Sequence, residues 1–213
     1  TRPGADVDDV VGLRRHVVRQ GVRPGEAGDD QPHAPNRSLD EARRAFADLD
    51  WTTHTREDWI AALDMMMLGH IDMMRLTVDG MMERGFGRIV NIVSRSIKTP
   101  QLELGLSNGA RSGLAGFAGG LARQTVARGV TVNNLLPGIF DSDAQKRHIE
   151  GMLEPGGKTF DEIWKERAAA NPTKRYGNPD ELGAYCAFLC SVHAGYITGQ
   201  NLVIDGGSLP GAV

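Results

Sequence analysis

Cysteine is scarce. The chain has two, Cys186 and Cys190, four apart in the apolar stretch AYCAFLC. No further cysteine completes a zinc set, and the spacing is not C-x-x-C. The pair reads as two small core residues of a protein kept in a reducing, cytoplasmic compartment. Long apolar runs are missing too: none approaches the ~20 residues of a membrane helix, and no segment is laid out like a signal peptide. Nor is one sign of charge in excess. A net charge of -3 and a pI near 6.1 give no electrostatic footprint for nucleic acid. No metal site is expected. The polar group Asp141–Asp143 reads as a solvated loop, and His70 as a lone structural histidine.

Large apolar side chains are almost absent from one end. Among Ile, Leu, Met, Phe, Trp and Tyr, residues 1–38 contain only Leu13, and they carry six Arg and no Lys. Pro, Gly and Asp punctuate them, and only VVGLRRHVV could make a short helix or strand. Such a stretch buries too little apolar area to offset its ordering entropy. It is expected to be an irregular segment, distinct from residues 39–213.

What the rest contains is ordered alternation. The chain is 40% hydrophobic and 24% charged, ordinary for one domain with a sizeable core. SLDEARRAFADL suggests a short helix capped by Ser38. Thr55–Arg84 reads as a long helix: TRED supplies a cap with an acid three residues on, and Gly85 a stop. RIVNIVS, VTVNNLLPG and QNLVIDGG read as strands, the first two rich in β-branched residues. Gly105–Arg128 is a Gly/Ala-rich helix between the first two. Asn178 and Pro179 open another before the third. Strand–helix–strand–helix–strand implies an α/β, doubly wound parallel sheet with three clear strands. On such sheets ligands bind beyond the carboxyl ends of the strands. Those ends carry Ser94, Pro137–Gly138 and Asp205–Gly206. The methionines of DMMMLGHIDMM fall at helical spacing and read as core or subunit contact.

With GRIVNIVS, GVTVNNLLPG and RYGNPDELGAYCAFLCSVHAGYITGQNLVIDGG, the chain resembles the short-chain dehydrogenase/reductase superfamily from about Leu49 to Gly207. It is most similar to the 3-oxoacyl-(acyl-carrier-protein) reductase-like branch, within which a subgroup carries LSNGARSGL in place of the usual active-site helix. The resemblance implies a Rossmann-like fold and NAD(P)-dependent reduction of a 3-oxoacyl thioester or small ketone. It also implies a homodimer or homotetramer paired through the helices Thr55–Arg84 and Gly105–Arg128. The family's tetrad is Asn, Ser, Tyr and Lys. Ser94 fits the serine. Thirteen residues on, where the tyrosine belongs, stands Ser107; four further, in place of the lysine, stands Arg111. Met66 occupies the asparagine position. The resemblance makes Ser94, Ser107 and Arg111 the candidate catalytic set. It makes Arg111, Pro137, Gly138, Ile139 and Ser142 the candidate contacts of NAD or NADP.

The substitutions change the chemistry. A phenol with a reference pKa near ~10 can be tuned into an acid at neutral pH, whereas an aliphatic hydroxyl cannot. Arg111 keeps a charge but is not interchangeable with an ammonium. The family's turn G-x-x-x-G-x-G, which brings backbone N–H groups to the pyrophosphate at a helix N-terminus, occurs nowhere in the chain. The near pattern Gly21, Gly25, Gly28 has the wrong spacing. The expectation is a Rossmann-like domain whose first half is truncated or replaced by residues 1–38, as an out-of-frame translation of a GC-rich gene would do. Three functions compete: an impaired oxidoreductase, a non-catalytic binding or scaffold subunit, and a non-functional truncated product.

Overall fold

The computed structural model describes residues 53–210. The helix expected at SLDEARRAFADL and the boundary at 38/39 lie outside them. Helix α1 (Arg56–Leu63) starts at a capping box: Thr55 accepts from the Asp58 N–H, and the Asp58 carboxylate accepts from the Thr55 N–H at 3.0 Å. Two otherwise unpaired donors are satisfied reciprocally. The chain then passes through one π-helical turn, Asp64–Leu68, into α2 (Gly69–Glu83). Sequence spacing anticipates the continuous helix but not the wide turn. Gly85 ends it at φ 68°, a left-handed conformation that glycine adopts without a Cβ penalty.

Three parallel strands follow in the order β1–β2–β3: β1 (Gly87–Ile92), β2 (Val130–Pro137) and β3 (Asn201–Ile204). The architecture is the expected three-stranded parallel sheet with helical crossovers. Helix α3 (Gly105–Thr125) makes the first crossover and α6 (Pro179–Cys190) the second. Between β2 and α6 lie α4 (Asp143–Glu150) and α5 (Phe160–Ala170). Asn178 caps α6, with Pro179 in its first turn, as the sequence implies.

Alternation along β2 divides the core between two faces. Leu136 packs with Met74, Val93 and Leu114 beneath α2 and α3, while Leu135 packs with Leu189 and Ala194 beneath α6. Of the methionine cluster, Met66 and Met74 are buried while Met65 and Met73 are exposed. A row of amides, two buried and one partly buried, spans the three strands on the α3 face. Asn91, Asn134 and Asn201 stand opposite one another on the three strands. Asn91 donates to Asn134 Oδ1 at 2.9 Å, and Asn134 donates to Asn201 Oδ1 at 2.8 Å. On the opposite face, Asn133 donates to the Ile197 carbonyl at 2.8 Å. The NN pair thus serves both sides of the sheet.

β1 is an edge strand among the described residues. Its start is locked by Arg88, whose Nε donates to the Ser191 carbonyl at 3.0 Å and whose guanidinium also bonds the Gly87 and Gly129 carbonyls. That guanidinium lies 4.5 Å above the Phe86 ring. No helix among the described residues is long and apolar enough to cross a membrane.

Candidate functional site

Ser94 follows β1 by two residues and has extended backbone, φ -168°. Its hydroxyl oxygen accepts the Ser96 N–H at 3.1 Å, capping the short turn Arg95–Ile97. The O–H remains able to donate. The turn leads into a loop that ends where α3 begins. Gly105 starts that helix, so Ser107 and Arg111 both lie in its first two turns, four apart and on one face. They touch: the Arg111 guanidinium donates to Ser107 Oγ. Ser107 is buried and Arg111 half-buried. Burial holds the Arg111 pKa below the ordinary arginine value, yet nothing there removes its charge.

α2 contributes a third polar group. His70 is half-buried, and its pKa is lowered first by desolvation and second by the positive charge of Arg111. By sequence His70 reads as a lone structural histidine; the packing of α2 against α3 brings it into that field. One turn before it, Met66 is buried with Ala62, Leu106 and Ala110. At the position of the family's asparagine there is an apolar contact and no relay group.

The expected cofactor loop sits at the carboxyl end of β2. Pro137 pairs with Ile204, and Gly138 donates to the Ile204 carbonyl at 2.9 Å. A Cβ on Gly138 would lie 2.6 Å from Asp205 Cβ, so this close approach of two strand ends requires glycine. Ile139 accepts from Gly177, and Phe140 forms an isolated bridge with the same residue. Ile139 also lines a cleft of about 130 Å³ with Asn171, Asp205 and Gly206. A larger cleft, about 780 Å³, lies beside Trp164 and Tyr176 and includes none of the expected site residues. Ser142 is the N-cap of α4, its oxygen accepting the Gln145 N–H at 3.3 Å. Asp141 pairs with Lys146 at 3.0 Å, and no metal-binding cluster occurs among the described residues.

Among the described residues, four buried side-chain atoms have no hydrogen-bond partner: Ser96 Oγ, Thr99 Oγ1, Asn108 Oδ1 and Gln145 Nε2. An unmet buried polar atom costs about 1–3 kcal/mol, so each is a place for water or ligand. Three belong to the segment between Ser94 and Arg111, and the fourth to the turn after Ser142. The sequence signal for them is slight: polar residues just beyond a strand end. Such atoms, and the loop 137–142 at the end of β2, are the kind of groups that would hold one end of a dinucleotide. The chain has no glycine turn for its diphosphate, so the fit stops there.

A parallel sheet crossed by helices, with polar groups gathered beyond its strand ends, defines a Rossmann-like α/β protein. Residues 42–208 match the sequence model of the family described as Enoyl-(Acyl carrier protein) reductase. The chain is 34% identical over 153 residues to an acetoacetyl-CoA reductase of Cupriavidus necator, covering 72% of this chain and 58% of that relative. It is 31% identical over 153 residues to a 3-oxoacyl-[acyl-carrier-protein] reductase of Vibrio cholerae, covering 71% and 57%. Among solved structures, it resembles an NADPH-dependent reductase involved in bacilysin biosynthesis, with a TM-score of 0.71 and 29% identity over 76% of this chain and 62% of the other. The chain belongs to the short-chain dehydrogenase/reductase superfamily, in its 3-oxoacyl reductase-like branch, a family of NAD(P)-dependent oxidoreductases. It spans under three fifths of the length of the two curated relatives named.

Proposed function

We propose that the site is laid out for NAD(P)-dependent reduction of a carbonyl, in a 3-oxoacyl thioester or a small ketone, and that this chain carries it out poorly. The observation that carries the reading is the contact between Arg111 and Ser107 at the register of the family's Tyr and Lys, thirteen and seventeen residues after Ser94. A bound nicotinamide would supply the hydride. The chain's own contribution is hydrogen bonding. Ser94 and Ser107 each retain an O–H to donate toward a carbonyl oxygen, and the Arg111 guanidinium polarises the Ser107 hydroxyl. Donors aimed at a developing oxyanion are worth ~10²–10³-fold in rate. What is lost is the acid: a serine hydroxyl does not deliver a proton, which forfeits roughly 10²–10⁴-fold.

The same reading treats residues 39–213 as a partial domain and 1–38 as a segment outside it. It places the protein in the cytoplasm, in keeping with two free thiols. It pairs copies through α1, the π turn, α2 and α3, where Ile60, Met65, Leu68, Met73, Leu76 and Phe117 leave apolar surface exposed. Sedimentation velocity tests that pairing: a dimer or tetramer agrees with it, and a monomer at micromolar concentration contradicts it.

The activity test is oxidation of NADPH at high concentration in the presence of acetoacetyl-CoA, comparing the chain with Ser94→Ala. A slow, substrate-dependent rate that falls at least about tenfold in Ser94→Ala is expected. Equal rates in the two proteins would remove Ser94 from the site. A second reading, a non-catalytic subunit, is favoured by the buried Met66 side chain at the asparagine position. Absence of any substrate-dependent rate selects it.

A further inference from the structure

Arg95 directly follows Ser94 and is held at both ends. Its backbone lies in the turn Arg95–Ile97, where its carbonyl accepts the Lys98 N–H at 2.9 Å and the Thr99 N–H at 3.2 Å. Its side chain reaches 113 residues along the chain, Nη1 donating to Ser208 Oγ at 2.7 Å. The segment around Ser208 is fixed in turn by the Asp205 carboxylate, which accepts the Gly207 N–H at 3.0 Å and the Leu209 N–H at 2.7 Å. The Arg95–Ser208 bond thus joins the loops beyond β1 and β3, the strands on either side of β2. It stands at the carboxyl end of the sheet, where ligands bind on such folds.

This placement leaves a charge unanswered. Arg95 is half-buried, and no ion pair among the described residues involves it. Asp205, the acid of the loop it touches, is committed to two backbone N–H groups. Ser208 takes one bond from Nη1. The edge formed by Nε and Nη2 makes no hydrogen bond among the described residues, and neither atom is sealed from solvent. A guanidinium edge of that kind grips a carboxylate through two parallel bonds. The same turn holds the Ser96 hydroxyl, 1% exposed and without a hydrogen-bond partner among the described residues. The Thr99 hydroxyl, three residues on, is likewise unmet. A tethered cation beside unmet polar atoms, one residue from Ser94, has the parts of an anion subsite. Its tether also lowers the ordering cost of binding.

We propose that Arg95 makes the site selective for a carbonyl substrate that carries a carboxylate, an oxo acid. The inference rests on the carbonyl-reduction reading above and chooses within it, because the acyl carbonyls of a thioester lack that charge. Consecutive Cα atoms lie ~3.8 Å apart, so one short substrate can meet both residues. Its ketone oxygen accepts from the Ser94 hydroxyl, and its carboxylate accepts from Nε and Nη2 of Arg95. Binding at the end that does not react then orients the end that does. Arg95 is a specificity residue and takes no part in moving a proton or hydride.

The test compares levulinate, a ketone with a carboxylate at the far end of a short chain, with its neutral methyl ester. Binding to the full chain is measured by NMR titration, which also follows the Arg95 Nε–Hε resonance. Substrate-dependent oxidation of NADPH is recorded separately. Levulinate should bind at least about tenfold more tightly than the ester and shift the Arg95 resonance. Arg95→Met should abolish the preference. Lys98→Met, which removes an exposed charge three residues on, should leave it intact. Binding of levulinate at Arg95 with no oxidation of NADPH keeps the carboxylate subsite and counts against the reduction reading. Oxidation at equal efficiency with acid and ester keeps that reading and removes the subsite. Equal affinities for the two, including none for either, an unmoved Arg95 resonance, or a preference that survives Arg95→Met would each overturn the proposal. The comparison of acid with ester in the unaltered chain stands whether or not the variants fold.

Discussion

Arg111 donates a hydrogen bond to Ser107 one turn earlier on α3, and its charge also bears on His70 across the interface with α2. Three side chains on two helices are therefore coupled. Removing the charge while keeping the bulk, as in Arg111→Met, should raise the pKa of His70. It should remain below the ordinary histidine value, because burial is the larger cause. A histidine NMR titration of the two proteins checks this, and an unmoved His70 would show that the coupling is absent.

The same histidine sets a pH dependence of stability. Its folded pKa lies below its unfolded value of about 6.5. The unfolded chain therefore binds more protons as the pH falls through that value, and the native state loses stability there. The loss levels off once the pH is below the folded pKa. His70→Gln should flatten that part of the stability profile in urea unfolding. A profile unchanged between about pH 7 and pH 5 would contradict the shift.

Glu181 acts in a lower window. It receives the Arg175 guanidinium through both oxygens, at 2.8 and 2.7 Å, and the Asn178 N–H. These bonds bring its pKa to about 2, the ion pair with Arg175 first. A depressed carboxylate contributes above its unfolded pKa and loses that contribution as pH falls toward the folded one. Glu181→Gln should thus differ from the parent at neutral pH and converge with it in acid. Thermal melts at several pH values measure the convergence.

The asparagine row makes a prediction independent of the site. Asn134→Leu leaves the Asn91 amide donor and the Asn201 acceptor unpaired inside the sheet. Each orphaned group should cost about 1–3 kcal/mol, read from urea midpoints. A variant of unchanged stability would mean that water or a neighbour replaces both bonds.

Much of this architecture is written locally. The β-branched residues of RIVNIV and VTVNN announce strands, and TRED and NPDE announce helix starts, because each rests on contacts within a few residues. The contact between Ser107 and Arg111 is legible for the same reason, being one helical turn. What is not legible depends on how elements meet. The π turn at Asp64–Leu68 has the spacing of an ordinary helix. The bonds of Asn91 to Asn134 need the strand register, and His70 meets the field of Arg111 only through helix packing. Ser142 stands where the family resemblance puts a cofactor contact, and its oxygen also caps α4.

The proposed site offers hydroxyl donors to a carbonyl, while the given sequence holds no G-x-x-x-G-x-G turn for a dinucleotide's diphosphate. Titration with NADPH and NADH, followed by nucleotide fluorescence and melting temperature, measures what that leaves of cofactor affinity. Without the glycine turn, binding should be weak, saturating only toward ~1 mM, about 4 kcal/mol short of a micromolar complex. Ser107→Tyr with Arg111→Lys should leave that affinity unchanged. A Kd in the micromolar range for the chain as it stands would mean that the dinucleotide is held firmly without that turn, against the proposed function.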